Sequence, residues 1–132
     1  MLTIRPSRAE DVPAITAIYA YHVLHGTGTF ETTPPTESEM AERRADVLGK
    51  GLPWLVAEED GQLLGYAYCQ WFKLRPAYRF STEDSIYMHP DARGKGHGKR
   101  LLEALVKEAE AIGIRKLIAV IGDSGNAGSD GW

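Results

Sequence analysis

A single cysteine, Cys69, stands in the 132 residues, so no disulfide can form within the chain, and this usage suits a reducing cytoplasm. No apolar run is long enough to cross a membrane, and the opening Met1-Leu2-Thr3-Ile4-Arg5 reads as a strand rather than a signal peptide. Charge of one sign is not in excess. Fifteen Lys and Arg against 18 Asp and Glu leave a formal net charge of −3, which argues against a general nucleic-acid binder. No internal repeat, linker or low-complexity tract divides the chain, so residues 1–132 are expected to form a single domain with a real core. His22 and His25 stand three apart on an expected helix, yet no cysteine or carboxylate cluster completes a metal set. They are expected to face solvent or to be hydrogen-bonded, and no metal is expected.

What is present centres on residues 83–112. Ile86 and Met88 alternate with Ser85 and Tyr87 as in a strand, which Pro90-Asp91 ends. Three glycines follow at 94, 96 and 98, and then Leu101, Leu102, Leu105, Val106, Ala109 and Ile112 recur at the spacing of one helix face. A strand, a glycine-rich loop and a helix together build an anion site, because glycine lets a ligand approach the backbone and the first helical N–H groups have no internal partner. Arg93, Lys95, Lys99 and Arg100 add positive charge around it. A nucleotide P-loop needs Ser or Thr after its Gly-Lys, and Gly96 follows Lys95; the dinucleotide fingerprint fails on its glycine spacing. The bland alternative is a glycine-rich turn with an exposed basic fringe. Arg93-x-x-Gly96-x-Gly98 resembles instead the pyrophosphate loop of the GNAT N-acetyltransferases.

The remaining elements read in order. Leu2–Arg5 is a strand closed by Pro6, and a helix over about Arg8 to His25 carries Val12, Ile15, Ile18, Tyr19 and Val23 on its apolar side. After a loop at 26–35, Thr36-Glu37-Ser38-Glu39 forms a capping box for a second helix reaching about Gly49, with Met40, Val47 and Leu48 inward. Pro53–Glu58 and Leu63–Trp71 are strands joined by a hairpin with Asp60-Gly61 as its turn signal, and Cys69 is expected as a small buried hydrophobe. Residues 72–80 form an aromatic and cationic excursion, suited either to surface packing or to holding an acidic substrate group. Arg115–Gly122 is an apolar strand, buried on both faces by its pattern.

The segments Thr29–Thr36, Pro53–Glu58, Arg75–Phe80, Glu83–Tyr87, His89–Gly94 and Val120–Asn126 together resemble the phosphinothricin N-acetyltransferase branch of the GNAT family, which includes enzymes acting on methionine sulfoximine and methionine sulfone. The resemblance spans nearly the whole chain. It implies an α/β (α+β) GNAT fold with a mixed central sheet flanked by helices, acetyl-coenzyme A as donor, and transfer to the α-amine of a small amino-acid-like acceptor.

Roles follow from the matching positions. Glu83 falls where the family places a general base at the start of the central strand. Its neighbour Asp84 would take part or raise the Glu83 pKa by like-charge repulsion. Backbone groups of Ile86, Tyr87 and Met88 would line the pantetheine and polarise the thioester oxygen. Arg93, Gly94, Lys95, Gly96, His97, Gly98 and Lys99 would hold the pyrophosphate, with Asn126 meeting the coenzyme again. Phe30, Glu31, Arg75, Tyr78 and Arg79 would form the acceptor pocket, Arg75 taking the acceptor's acidic group.

Members of the family continue past the position of Asn126 into a further helix and strand pair, so the resemblance implies that roughly a quarter of the expected fold is missing. The last strand would then be an apolar edge. A second chain covers it, as in a homodimer, or the chain is a short form with impaired activity. Three readings therefore stand: an acetyltransferase for phosphinothricin-like acceptors, a GNAT enzyme for another small amine, and a truncated coenzyme-binding module with little or no activity.

Overall fold

The computed structural model describes residues 2–25, 32–71, 81–92, 96–113 and 116–122, with the backbone alone at 71, 81–83 and 116–122. Among these residues five strands form one sheet in the order β1 (Leu2–Pro6), β2 (Trp54–Glu59), β3 (Gln62–Trp71), β4 (Ser81–Met88) and β5 (Lys116–Gly122). The first four pair antiparallel and β5 joins β4 in parallel, which makes the sheet mixed. A parallel partner requires a crossover. Helix α3 (His97–Ala111) supplies it.

Helices α1 (Val12–Leu24) and α2 (Glu37–Gly49) pack on one face of the sheet. Strand pairing puts Trp54 opposite Tyr68 and Tyr66 opposite Tyr87 on that face. Tyr87 meets Tyr19 of α1 edge-on, ring centroids 5.0 Å apart. Trp54 stacks on Tyr68 at 4.1 Å and on Tyr66 at 5.5 Å. Within this stack Trp54 Nε1 and the Tyr66 hydroxyl are buried without a hydrogen-bond partner. Burial pushes the Tyr66 phenol well above its ordinary value, and the neighbouring tyrosines add to the effect. Residues of the alternate set, Leu55, Ala57, Ala67, Cys69 and Ile86, occupy the other face, where α3 buries Leu101, Leu105 and Ala109.

Local chemistry explains most boundaries. The Thr36 hydroxyl accepts from Glu39 N–H at 3.1 Å while Thr36 N–H donates to Glu39 Oε1 at 2.9 Å, so the expected capping box is formed. The β2–β3 turn has φ of 53° at Asp60 and 79° at Gly61, as an Asp-Gly hairpin turn requires. Cys69 is fully buried. Pro6 extends β1 by one residue beyond expectation, because an edge strand tolerates a missing donor. A 3₁₀ turn at Ala9–Asp11 precedes α1, so the helix starts later than Arg8.

Two expected core positions are corrected. Leu48 is 40% exposed and Ile112 is 50% exposed. Both lie at helix ends: Leu48 is the next-to-last residue of α2, and Ile112 is the cap beyond Ala111. There the apolar stripe runs past its neighbours.

Candidate functional site

The β4–α3 unit places the expected anion site. Strand β4 ends at Met88, a short 3₁₀ turn covers Pro90–Ala92, and Gly96 caps α3 with φ 74°. That left-handed conformation favours glycine. A side-chain carbon added at Gly96 would meet no described atom within 4 Å. The first α3 N–H groups, at His97, Gly98 and Lys99, have no carbonyl one turn back within the helix. Lys99 and Arg100 are exposed beside them. His97 is half-buried, and its Nδ1 is buried without a hydrogen-bond partner. Helical N–H groups without an intrahelical partner and cationic side chains at one helix N-terminus fit a phosphate-bearing ligand.

The end of β4 is tightly held. Ile86, Tyr87 and Met88 are all buried. A carbon added at Gly65, opposite Met88 in the β3–β4 register, would fall on Met88 Sδ and lie 3.0 Å from the Tyr87 carbonyl oxygen. His89 N–H donates to the Leu64 carbonyl at 2.7 Å. The ladder alternates, so Tyr87 and His89 turn their backbone groups toward β3 while Ile86 and Met88 turn theirs toward β5. Of the three residues expected to meet the coenzyme through their backbone, Ile86 and Met88 are therefore the two that face the β4–β5 boundary.

Glu83 occupies the register position between Gln70 of β3 and Ile118 of β5. Asp84, fully buried, is in register with Cys69 and shares the α3 face with it. The histidine of α1 and the one that caps it are each within hydrogen-bond distance of a backbone carbonyl. His22 Nε2 lies 2.8 Å from the Met88 carbonyl oxygen, and His25 Nδ1 lies 2.8 Å from that of Tyr21. His22 is buried and His25 is exposed. The packing of His22 against β4 was not foreseen, although a signal existed: 22 continues the stripe 15, 18, 19 at helical spacing. Phe30, Glu31, Arg75, Tyr78, Arg79, Arg93, Gly94, Lys95 and Asn126 lie outside the described residues. A cleft of about 450 Å³ beside α1, lined by Tyr21, Gln62 and His89, contains none of the expected site residues.

A mixed sheet covered by helices on both faces, with a glycine-capped helix N-terminus following β4, defines an α/β protein whose chemistry at the start of α3 suits a phosphate-bearing ligand. Comparison with known proteins narrows the class. The acetyltransferase (GNAT) family model matches residues 16–131. The phosphinothricin N-acetyltransferase of Alcaligenes faecalis is 55% identical over 129 residues, covering 98% of this chain and 66% of that protein. The L-methionine sulfoximine/L-methionine sulfone acetyltransferase of Salmonella typhimurium is 38% identical, covering 97% of this chain and 74% of that protein. A solved GNAT superfamily phosphinothricin acetyltransferase from Sinorhizobium meliloti, in complex with AcCoA, superposes with a TM-score of 0.89 at 47% identity, covering 98% of this chain and 71% of that one. The chain belongs to the GNAT acetyltransferase family and has its fold. It spans 66% of the length of the Alcaligenes relative.

Proposed function

We propose that the protein is an acetyl-coenzyme A-dependent N-acetyltransferase acting on the α-amine of a small amino-acid-like acceptor such as phosphinothricin, methionine sulfoximine or methionine sulfone. The observation that carries this reading is the 55% identity, over 98% of the chain, with a phosphinothricin N-acetyltransferase. The glycine-capped α3 N-terminus supports it from the geometry. The donor supplies an acetyl group already activated as a thioester. The chain's task is then to align a neutral amine with the carbonyl carbon and to take up the proton released as the new N–C bond forms. The C–S bond breaks and the coenzyme leaves as its thiol.

In this reading Glu83 accepts the amine proton, directly or through water. The β5-facing backbone of Ile86 and Met88 lines the pantetheine, and Tyr87 contributes its place in the strand. Arg93, Gly94, Lys95, Gly96, His97, Gly98 and Lys99 hold the pyrophosphate, and Asn126 touches the coenzyme again. Phe30, Glu31, Arg75, Tyr78 and Arg79 surround the acceptor, with the planar fork of Arg75 on its acidic group.

We read residues 1–132 as one domain, since one sheet and one core run through the described residues. A homodimer is supported by β5, one of the two edge strands among the described residues and apolar in sequence. A cytoplasmic location is supported by the lone buried cysteine; among the described residues no helix is long and apolar enough to cross a membrane.

The test is release of free thiol from acetyl-coenzyme A with the three acceptors side by side. Turnover with one of them is expected. Coenzyme binding without turnover on these or other small amines would replace this reading with that of a coenzyme-binding module.

A further inference from the structure

We propose that Ser85 is a further catalytic residue: its hydroxyl takes the proton released by the acceptor amine and passes its own proton to Glu83. The inference rests on the acetyltransferase reading above, with Glu83 as the base.

The spacing along β4 calls for such an intermediary. A strand rises about 3.3 Å per residue, so position 83 lies about 10 Å from Ile86, where the segment that lines the pantetheine begins. A carboxylate starting from residue 83 falls short of an amine set against a thioester there. Ser85 stands between the two. Side chains alternate along a strand, so 83, 85 and 87 share one face, with 83 and 85 about 6.6 Å apart. A glutamate and a serine close that gap with one hydrogen bond.

Ser85 differs from every other buried polar residue. Among the described residues these are Ser7, Asp11, His22, Asp84 and Ser85. Ser7 Oγ accepts from Arg44 Nε at 2.8 Å, Asp11 holds Arg5, and His22 meets the Met88 carbonyl. Asp84 is engaged as well. Ser85 is 7% exposed, yet its hydroxyl bonds to no described group. A serine kept in a strand for packing alone satisfies its hydroxyl locally, because a buried polar group left unpaired costs stability. Nor is Ser85 Oγ one of the sealed, unpartnered atoms, as Trp54 Nε1 and the Tyr66 hydroxyl are.

Its neighbours on that face are large rings engaged elsewhere. Tyr68, in register with Ser85, stacks on Trp54 of β2 at 4.1 Å. Tyr87 is held from α1 by Tyr19 at 5.0 Å and by His22 at 5.4 Å. A small polar residue is thus set into an aromatic layer between the base and the acyl group.

The step balances. The amine electron pair forms the N–C bond to the thioester carbonyl carbon, and the C–S pair leaves with sulfur. As nitrogen gives its proton to Ser85 Oγ, the hydroxyl hydrogen moves to the Glu83 carboxylate. Serine ends as it began and Glu83 ends protonated. That proton passes through solvent to the thiolate, which leaves as the thiol.

The experiment compares Ser85→Ala, Ser85→Thr, Glu83→Gln and the double variant Ser85→Ala/Glu83→Gln with the unaltered chain. It reads melting temperature, acetyl-coenzyme A affinity by calorimetry, and kcat and KM with whichever of the three acceptors turns over. Ser85→Ala should lower kcat about 10- to 100-fold and leave coenzyme affinity within about a factor of two. Ser85→Thr keeps a hydroxyl and should recover kcat to within about fivefold. Members of a relay act as a unit, so adding Ser85→Ala to Glu83→Gln should cost less than about threefold more. Undiminished kcat in Ser85→Ala, or Ser85→Thr as slow as Ser85→Ala, would overturn the role of the hydroxyl. Additive losses in the double variant would overturn the relay to Glu83. All three outcomes leave acetyl transfer itself in place. An unaltered chain that releases no thiol with any of the three acceptors would overturn the acetyltransferase reading, and this inference with it.

Discussion

Arg5 of β1 forks onto Asp11, with Nη1 2.8 Å from Oδ2 and Nη2 2.9 Å from Oδ1, while its Nε reaches Glu58 Oε1 at 3.0 Å. Asp11 Oδ2 also accepts from Arg8 N–H at 2.7 Å. One carboxylate thereby joins the first strand to the turn that starts α1. The Arg5 hydrogen bonds hold Asp11 below the usual carboxylate range, against the opposing effect of its burial. Asp11→Asn should cost about 2 kcal/mol at neutral pH, the scale of a charge-assisted pair out of water. The sign with pH follows from the lowered value. The stabilisation is complete above the unfolded carboxylate pKa of about 3.9 and is lost as pH falls through the lower folded value. Urea midpoints of the two proteins should therefore differ most above pH 5 and converge toward pH 2.

Gly65 and Met88 give a second stability test. A methyl group at 65 collides with the Met88 thioether, which can swing away, and with the Tyr87 carbonyl oxygen at 3.0 Å, which cannot without moving the strand. Gly65→Ala should cost about 1–3 kcal/mol. Adding Met88→Ala removes only the first collision, so a double-mutant cycle should show partial rescue. Full rescue would mean that the backbone contact is harmless.

Elements set by neighbouring residues were readable in the sequence. The Thr36–Glu39 box, the Asp60-Gly61 turn and the α3 stripe at 101, 105 and 109 each depend on spacing within a few residues. What escaped depends on distant partners. Leu48 and Ile112 keep the helical period but stay 40% and 50% exposed at the helix ends. His22 keeps the same period on α1, yet its polar ring is buried only because a strand 66 positions away ends with a carbonyl beneath it. The aromatic stack is of the same kind, since Trp54 and Tyr68 meet only through β2–β3 pairing. The candidate site was legible where backbone chemistry defines it, at Gly96 and the first turn of α3. Its acceptor side rests on family resemblance alone.

Gly96→Val tests the anion site. The left-handed backbone at 96 should make any L residue costly by about 1–2 kcal/mol, and the new side chain would stand beside the first N–H groups of α3. Coenzyme affinity by calorimetry should fall about tenfold or more, as expected when one or two charge-assisted hydrogen bonds are lost. Gly113→Val is the control. It has φ 89°, and an added carbon there meets no described atom within 4 Å at the far end of α3, so the change should lower stability similarly and leave the affinity unchanged.

Glu83→Gln separates an enzyme from a binding module. The substitution keeps size and removes the base, so kcat should fall about 10²- to 10⁴-fold while coenzyme affinity stays within about a factor of two. Asp84→Asn is the matched comparison, one residue along the same strand. Asp84 is fully buried on the α3 face in register with Cys69, away from the face that carries Tyr68 and Tyr87. Its loss should lower the melting temperature more than the turnover of the protein that remains folded. Equal loss of turnover in both variants would mean that the two carboxylates act as one unit. Undiminished turnover in Glu83→Gln would remove the base from residue 83 and leave the pre-activated thioester and the alignment of the amine to account for the rate.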